Sequence, residues 1–266
     1  MLLSHNANCR RFNPTRVLQH RCILSSVASV SSSASWGFSH MLRRFHLTLP
    51  VIGILASLTG FSAHAAPRMP IPAAAVDAAL SPRPGNAKAV FAGGCFWGVQ
   101  AVFERLKGVV KTSAGYAGGS ASTATYDQVV TETTGHAESV EVVYDPSRIT
   151  YGQLLRVFFS VAHDPTQLNR QGPDVGTSYR SAIFYANDDQ KRIANAYIVQ
   201  LDAAHVFAGP IVTQVTPLKG FYRAEGYHQD YALHNPGNPY ILVCDRPKIQ
   251  ALKEQFPELF VDYKGR

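Results

Sequence analysis

The segment that most constrains the fold lies between residues 88 and 106. The short apolar run from Lys88 to Ala92 is typical of a strand, and glycines 93 and 94 close it. Cys95 follows, and the apolar residues at 99, 102, 103 and 106 then recur at helical spacing. The pattern predicts a strand, a tight turn and a helix, with Cys95 at the first turn of the helix. We expect a lowered thiol pKa there, because the helix N-terminus carries partial positive charge. The alternative is a buried, inert cysteine.

The rest of the body alternates between strands and helices. Strands are predicted at 108–114, 139–144, 179–186 and 211–218, and helices at 150–162, 188–204 and, short and polar, near 225–234. A flexible glycine-rich loop is expected at 115–119, and an irregular, proline-rich tail after 234. The regular βαβ order and the phosphate-binding loop of a nucleotide fold are absent from the pattern. An α+β fold is therefore predicted, a two-layer sandwich of a mixed β-sheet with packed helices and a ferredoxin-like core with extensions.

The positive charge of the chain is confined to its beginning. The 266 residues carry a formal net charge of +7, from 25 basic and 18 acidic residues. Residues 1–76 hold seven of the arginines, no lysine and no acidic residue, which leaves 18 basic against 18 acidic residues in the body. A nearly neutral body argues against a basic surface for nucleic acid.

The N-terminal region resembles a secretory signal peptide. Arg43 and Arg44 precede a mostly apolar run from 47 to 61, and Ala63-His64-Ala65 matches a small-x-small cleavage site, with the cut after Ala65. The run is short for a membrane span. We therefore predict an upstream extension at 1–40 that is absent from the mature protein, a signal peptide at 41–65, a Pro/Ala-rich linker at 66–86 and a catalytic domain at 87–266. Translation from Met1 or Met41 stays open, and an organellar transit peptide is the alternative to export to the periplasm or medium.

Cysteine usage does not suggest a disulfide scaffold. Removal of the leader takes Cys9 and Cys22 with it, so that the body keeps Cys95 and Cys244. A domain of this size can bury an adequate core without staples. The two cysteines can form one structural bridge or a reactive pair. No Cys/His spacing typical of zinc is present in the sequence.

Several motifs in order resemble one enzyme family, the type A peptide methionine sulfoxide reductases. The resemblance covers roughly residues 87–235. It is carried by seven blocks, namely Gly94-Cys95-Phe96-Trp97-Gly98, Tyr126, Gly135-His136-Ala137-Glu138, His163-Asp164-Pro165, Gln171-Gly172-Pro173-Asp174, Gly176-Thr177-Ser178-Tyr179-Arg180-Ser181 and His228-Gln229-Asp230-Tyr231. It implies thiol-dependent reduction of methionine S-sulfoxide, free or in proteins, as a repair of oxidative damage.

The resemblance also implies roles for the matching residues. Cys95 is the implied nucleophile, and Glu138 is the implied acid, with a pKa raised by burial so that it can donate a proton. Tyr126 and Tyr179 match the two tyrosines whose hydroxyls bind the sulfoxide oxygen. Phe96 and Trp97 match the pocket for the substrate methyl group. Asp174 matches a buried, supporting aspartate.

Regeneration of the cysteine is the least determined step. Attack on the sulfoxide leaves a sulfenic acid on Cys95, which a second thiol can convert to a disulfide for an external dithiol to open. Cys244 is the other cysteine of the body and thus the resolving candidate. Many members of the family carry this cysteine in a glycine-rich tail, whereas Cys244 ends an apolar run, so that burial and direct reduction by an outside thiol stay open.

The predicted partners follow from this chemistry. No metal or organic cofactor is expected, because the electrons come from thioredoxin or another dithiol. The substrate is methionine sulfoxide, free or in oxidised proteins, and we expect a monomer that binds no nucleic acid and is not inserted stably in a membrane. The alternatives are another cysteine-nucleophile enzyme of hydrolase type, in which His136 would pair with Cys95, and an inactive binding relative.

Overall fold

Six strands form one sheet in the computed structural model, which describes residues 71–265. The strands of the sheet are β1 Ala87–Gly93, β2 Val109–Ala117, β3 Ala137–Tyr144, β6 Ser181–Tyr185, β7 Gln214–Pro217 and β8 Phe221–Arg223, and a two-stranded hairpin is made by β4 Arg170–Gln171 and β5 Asp174–Val175. The order across the sheet is β7-β6-β1-β3-β2-β8. Strands β6 and β7 pair in parallel, and the other pairs are antiparallel. The sheet is therefore mixed, as predicted.

Helices fill the connections between these strands. They are α1 Phe96–Phe103, α2 Tyr126–Val129, α3 Tyr151–Val157, α4 Asp188–Ala203, α5 Tyr231–His234 and α6 Arg246–Gln255. A π-helical turn at Phe158–Ala162 continues α3, and another at Ile241–Asp245 leads into α6. Short 3-10 turns lie at Ala121–Thr123, Thr177–Tyr179 and Gly226–His228.

The four central strands explain the layer arrangement. In the order β6-β1-β3-β2 each strand is antiparallel to its neighbour, and α1 and α3 lie in the connections that cross over, which is the ferredoxin-like arrangement. Side chains of β1 alternate between two faces. Ala89 and Phe91 belong to the core under the helices, while Val90 and Ala92 join a smaller apolar cluster on the other face. The α+β prediction is confirmed.

Aromatic stacking fixes the helices on the sheet. The ring of Phe91 on β1 stacks on Phe103 of α1 and on Phe158 after α3, both at 5.0 Å between centroids. All three side chains are fully buried. Burial of an aromatic side chain of this size stabilises a fold by about 2–3 kcal/mol. The three rings therefore stabilise the packing of α1 and of the turn after α3 on strand β1.

The helix after Cys95 starts at Phe96, so Cys95 lies at the helix start as predicted. Two other predictions about elements differ from the structure. The predicted flexible loop at 115–119 is strand up to Ala117, because residues 115–117 pair with β3 on one side and β8 on the other. The predicted irregular tail contains α6, with Pro247 in its first turn. A proline is tolerated there, because the N–H groups of the first turn have no hydrogen-bond partner within the helix.

The described part of the predicted linker, residues 71–86, is hydrogen-bonded to the domain although it forms no helix or strand. The carboxylate of Asp77 accepts hydrogen bonds from the hydroxyl of Thr150, at 2.5 Å, and from the N–H of Gly152, at 2.7 Å, at the start of α3. The hydroxyl of Tyr197 on α4 donates to the carbonyl of Pro72 at 2.7 Å. The segment therefore spans the N-terminal end of α3 and one face of α4.

The upstream extension, the signal peptide and its cleavage site lie outside the described residues. Within residues 71–265, no helix combines the length and the apolar character that a membrane crossing requires.

Candidate active site

Cys95 lies where β1 turns into α1. It is the residue directly before the helix, with φ −52° and ψ 125°, and only 8% of its side chain surface is exposed. Gly94 makes the turn with φ +86°, a left-handed conformation that favours glycine. A Cβ atom on Gly94 would lie 2.5 Å from the side chain of Gln171, so glycine also allows the close approach of that loop.

The pKa of the Cys95 thiol is raised well above its ordinary value. Burial is the largest cause, followed by the negative charges of Glu138, Asp245 and Asp174. A hydrogen bond from the backbone N–H of Trp97 acts in the opposite direction but is weaker. The predicted lowering of the pKa by the helix terminus is therefore wrong for the substrate-free protein, because desolvation and three carboxyl groups outweigh the first-turn N–H group.

Glu138 is the carboxyl group whose charge raises the pKa of the Cys95 thiol most. It is the second residue of β3, opposite Tyr116 on β2, and it is 3% exposed. Its Oε2 accepts a hydrogen bond from the backbone N–H of Phe96 at 3.0 Å, and its carboxyl group also hydrogen-bonds to the Cys95 thiol. Burial raises its pKa to about 8, more than these hydrogen bonds lower it. A carboxyl group with this pKa is largely protonated at neutral pH.

Two tyrosine hydroxyl groups face the same charges. Tyr126 begins α2, where its backbone N–H donates to Oε1 of Glu225 at 2.9 Å. Tyr179 ends the 3-10 turn at Thr177–Tyr179 and is 7% exposed. Burial and then the charges of Glu138 and Cys95 raise the pKa of both hydroxyls. Both therefore stay protonated near neutral pH and can donate hydrogen bonds.

An aromatic group covers the start of α1. Phe96 and Trp97 are buried, and the indole ring of Trp97 stacks on Tyr231 at 3.8 Å between centroids. The indole N–H of Trp97 donates to Nδ1 of His228 at 3.2 Å. The His228 ring in turn lies 4.9 Å from that of Phe96 and 4.7 Å from that of Tyr126. Such surroundings suit a thioether methyl group.

Asp174 connects two loops beside the site. It lies on β5, half-buried, and its Oδ2 accepts a hydrogen bond from the hydroxyl of Tyr240 at 2.5 Å. The ring of Tyr240 makes an edge contact with Trp97, 5.9 Å between centroids. The charge of Asp174 raises the pKa of Cys95, Glu138 and Tyr179. The predicted aspartate is therefore close to all three, although it is less buried than expected.

Cys244 lies on the π-helical turn at Ile241–Asp245 and is half-buried. The turn is bounded by two residues that reach the site. Tyr240 precedes it and contacts Trp97, and Asp245, its last residue, is fully buried and acts electrostatically on the Cys95 thiol. Cys244 is thus on a segment adjoining the site, while the other predicted residues lie within it.

His136 is engaged away from the thiol. Its Nδ1 accepts from the backbone N–H of Gly119 at 3.2 Å, and its Nε2 hydrogen-bonds to the carbonyl of Ser120 at 2.9 Å. Both ring nitrogens therefore hold the loop after β2, and the geometry does not support a Cys–His catalytic pair. Among residues 71–265 no group of three or more His, Cys, Asp or Glu side chains is placed to hold a metal ion.

Three residues that support the site were missed in the sequence. Glu225 accepts hydrogen bonds from the hydroxyl of Tyr116, at 2.9 Å, and from the backbone of Tyr126. Tyr240 and Asp245 come from the segment that was predicted to be irregular. A carboxylate or hydroxyl in such a segment shows no periodicity, so the sequence contains no local signal for these contacts.

Known proteins resemble the chain in both sequence and fold. The family model described as peptide methionine sulfoxide reductase matches residues 87–259. The relative named peptide methionine sulfoxide reductase MsrA 2 of Mesorhizobium japonicum is 59% identical over 177 residues, which cover 66% of this chain and 91% of that protein. The MsrA 2 protein of Synechocystis is 48% identical over 190 residues, covering 71% and 89%.

Two solved structures share the fold. The reduced form of Mxr1 from Saccharomyces cerevisiae has a TM-score of 0.52 at 34% identity and covers 61% of this chain and 92% of that one. Methionine sulfoxide reductase A of Corynebacterium diphtheriae has a TM-score of 0.50 at 40% identity and covers 58% and 77%. The family model matches well over half of the chain, and the resemblance found in the motifs is thereby confirmed. The chain belongs to the peptide methionine sulfoxide reductase family and is an enzyme that reduces methionine sulfoxide.

Proposed function

We propose that Cys95 attacks the sulfur of methionine S-sulfoxide while Glu138 protonates the sulfoxide oxygen. The observation that carries this proposal is the position of Glu138, which is buried, bonded to both the Cys95 thiol and the N–H of Phe96, and has a pKa of about 8. A sulfoxide oxygen is a poor leaving group until it is protonated. A carboxyl group that keeps its proton at neutral pH can supply that proton as general acid.

The raised pKa values of Cys95 and Glu138 fit one coupled proton transfer. Glu138 gives its proton to the sulfoxide oxygen and takes the proton of the Cys95 thiol through their hydrogen bond. The thiolate then forms only when the substrate is present. In the net step the oxygen passes, as hydroxyl, from the methionine sulfur to Cys95. Cys95 is oxidised by two electrons to a sulfenic acid, the sulfoxide is reduced to methionine, and Glu138 is left protonated.

The two tyrosine hydroxyls bind the sulfoxide oxygen, and the aromatic side chains at the start of α1 bind the methyl group on the sulfur. The hydroxyls of Tyr126 and Tyr179 stay protonated, so they can donate hydrogen bonds to the oxygen as negative charge develops on it. Phe96 and Trp97 receive the methyl group. Separate binding places for the oxygen and the methyl select one epimer of a chiral sulfur, and membership of the family implies that it is the S epimer. We therefore propose that the S epimer is reduced, and assays with the separated epimers test this, with turnover of the R epimer alone as the contrary result.

Regeneration of Cys95 is proposed to run through Cys244. The Cys95 sulfenic acid and the Cys244 thiol condense to a disulfide with loss of water, and thioredoxin or another dithiol opens the disulfide by exchange. The support is the place of Cys244 on a turn that follows Tyr240 and ends at Asp245, two residues that both reach the site. The same reductant is expected to act directly on the sulfenic acid of a Cys244→Ser variant, more slowly.

Counting thiols after one equivalent of sulfoxide tests this route. The wild-type chain should lose two thiols per methionine formed, the Cys244→Ser variant one, and the Cys95→Ser variant none. Loss of a single thiol by the wild type would show direct reduction of the sulfenic acid. Methionine formation by the Cys95→Ser variant would contradict the nucleophilic role of Cys95 itself.

Export of the enzyme is a further proposal. The charged start at Arg43 and Arg44, the apolar run after it and the small residues before position 66 support secretion to the periplasm or medium, and the extension at 1–40 leaves a transit peptide as the alternative. Sequencing of the mature N-terminus tests it. A first residue of Ala66 supports export, and a mature chain that starts near Met41 contradicts cleavage. We expect the mature protein to be a monomer, which sedimentation can check.

A further inference from the structure

Glu132 has a backbone conformation that a glutamate seldom adopts. It lies between α2 and β3, six residues before Glu138, and its φ is +63°. A residue with a Cβ atom in this left-handed region is strained by roughly 1–2 kcal/mol. Strain of this kind persists where surrounding contacts hold the residue in place, and it often lies beside functional groups.

The contacts that hold Glu132 are made by its carboxylate. Oε1 accepts from the hydroxyl of Ser178 at 2.6 Å, and Oε2 accepts from the backbone N–H of Ser178 at 2.8 Å and the hydroxyl of Thr177 at 3.0 Å. Hydrogen bonds to an ionised carboxylate are stronger than those between neutral groups. The carboxylate of Glu132 therefore fixes the turn at Thr177–Tyr179, which is the turn that carries the site hydroxyl of Tyr179.

Gly176 shows how closely the carboxylate approaches this turn. Its φ is +148°, and a Cβ atom there would lie 2.4 Å from the carboxyl carbon of Glu132. A side chain at 176 would displace the carboxylate from the turn. The contact between the Glu132 carboxylate and the turn therefore depends both on the glycine at 176 and on the left-handed backbone at 132.

Arg180 holds the other end of the same turn. Its guanidinium group donates to the carbonyls of Gly135, at 3.0 Å, and His136, at 3.1 Å, directly before the strand that carries Glu138. It also donates to the carbonyl of Thr177 at 2.8 Å. Tyr179 is therefore fastened on both sides to the segment between α2 and β3, and Glu132 provides one of the two attachments.

We propose that Glu132 is a positioning residue for the reduction of methionine sulfoxide: its carboxylate holds the Thr177–Tyr179 turn so that the Tyr179 hydroxyl points at the sulfoxide oxygen. The inference rests on the proposed role of Tyr179 as an oxygen donor. Glu132 touches neither substrate nor reacting atoms. Its contribution is to keep the Tyr179 hydroxyl within hydrogen-bond reach in the transition state, where a displacement of about 1 Å can cost a large part of the rate.

A double-mutant cycle between Glu132 and Tyr179 tests this. Glu132→Gln removes the charge, and Glu132→Gly removes the side chain while suiting the left-handed backbone, so that the second variant keeps the loop conformation. We expect kcat to fall roughly 3- to 10-fold in both, with KM changed less than about threefold, because the turn acts on the transition state and the loss cannot exceed that of the Tyr179 hydroxyl itself. Glu141→Gln is the matched control, because Glu141 lies on β3 and pairs with the exposed Lys88 away from the Thr177–Tyr179 turn, and it should leave kcat unchanged.

The combined variants separate positioning from other effects. In a Tyr179→Phe background, either Glu132 substitution should cost no further activity, because the turn then holds no donor. A loss that persists in this background would show that Glu132 acts through general stability or through its charge on Glu138, and would overturn the inference. Unchanged kcat in both Glu132 variants would also overturn it. A Tyr179→Phe enzyme with full kcat would refute the oxygen-donor role of Tyr179 and the inference with it. This result differs from a failure of the inference alone, in which Tyr179→Phe lowers kcat and the Glu132 variants do not.

Discussion

The two ends of α1 each adjoin a buried glutamate, and the two differ in what surrounds them. At the N-terminal end, Glu138 accepts the backbone N–H of Phe96, and the charges that act on it most strongly are those of Asp174 and Glu132. At the C-terminal end, Glu104 follows the last helical residue and is bonded to the guanidinium group of Arg105. Burial raises the pKa of both, to about 8 for Glu138 and about 7 for Glu104.

The difference between the partners of Glu104 and Glu138 shows that burial alone does not make a carboxyl group in this fold a suitable proton donor. Burial alone gives both carboxyl groups a raised pKa, but Arg105 keeps the Glu104 pKa below that of Glu138 and occupies one of its oxygens. Glu138 instead has a thiol and a backbone N–H as partners, and two tyrosines share its surroundings. Glu104 is paired with the arginine beside it, whereas Glu138 is placed as the proposed exchange of its proton with a substrate requires.

The largest expected difference between the two lies in catalysis. Glu138→Gln should lower kcat by about 10²–10³-fold, because the amide cannot protonate the sulfoxide oxygen. Glu104→Gln should leave kcat within about twofold, since the amide can still accept from Arg105. Steady-state assays on both variants at pH 7 check this. Equal losses would show that the two carboxyl groups are not functionally distinct.

The stability of the two variants should differ in its dependence on pH. A carboxyl group whose pKa rises on folding binds more protons in the folded state, so stability is highest below the unfolded pKa and falls as pH rises toward the folded pKa. For Glu104 that window runs from about 4.5 to about 7, and the change amounts to at most about 3 kcal/mol. Glu104→Gln should flatten the pH dependence of the unfolding free energy there. A slope equal to that of the wild type in urea denaturation would refute the raised pKa of Glu104.

Loss of a single tyrosine hydroxyl should cost less than loss of the acid. Tyr126→Phe and Tyr179→Phe are each expected to reduce kcat by about tenfold, because one of two donors to the oxygen remains. The double variant should lose more than either alone. Tyr185→Phe, a tyrosine on β6 that contacts Lys191 rather than the site, is the control and should retain full activity. Full activity in the double variant would contradict the role of the two hydroxyls as donors to the sulfoxide oxygen.

The change of kcat/KM with pH should be about as large as the loss of one tyrosine hydroxyl. The Glu138 proton is lost above its pKa of about 8, so kcat/KM at pH 9 should be about one tenth of its value at pH 7. Glu104→Gln should leave this fall in place, because Glu104 is not the donor. A profile that stays flat to pH 9 in the wild type would contradict the assignment of the acid.

The sequence motifs predicted which residues lie in the site, but they did not predict how the surroundings change the pKa of those residues. Cys95, Glu138, Tyr126, Tyr179 and Asp174 stand in recognisable blocks, and the structure brings them together, while their catalytic roles stay predictions. The direction of the Cys95 pKa shift was not accessible, because it depends on three carboxyl groups that are 43 to 150 positions away along the chain. A local rule about helix ends cannot count distant charges.

The C-terminal region was the least predictable part of the fold. Prolines 236, 239 and 247 suggested an irregular tail, but Pro247 lies in the first turn of α6 and the π-helical turn before that helix carries Cys244 and Asp245. Strands were easier to predict, since β1 and β3 are apolar, β-branched and bounded by glycine or proline. Packing against α1, which no local pattern encodes, decides the structure of the C-terminal segment.

The hydrogen bonds of Asp77 have a practical consequence for where the chain can be cut. The matched family region begins at residue 87, ten positions after the carboxylate that accepts hydrogen bonds from Thr150 and Gly152 at the start of α3. A recombinant fragment with that boundary would keep the N-cap at Thr150 but lose these hydrogen bonds and the buried side chain of Ile71, and would bring the Tyr197 hydroxyl into contact with solvent. Loss of a single intramolecular hydrogen bond costs about 1 kcal/mol. A shorter enzyme made for crystallisation or assay should therefore begin before Ile71 rather than at the edge of the shared domain.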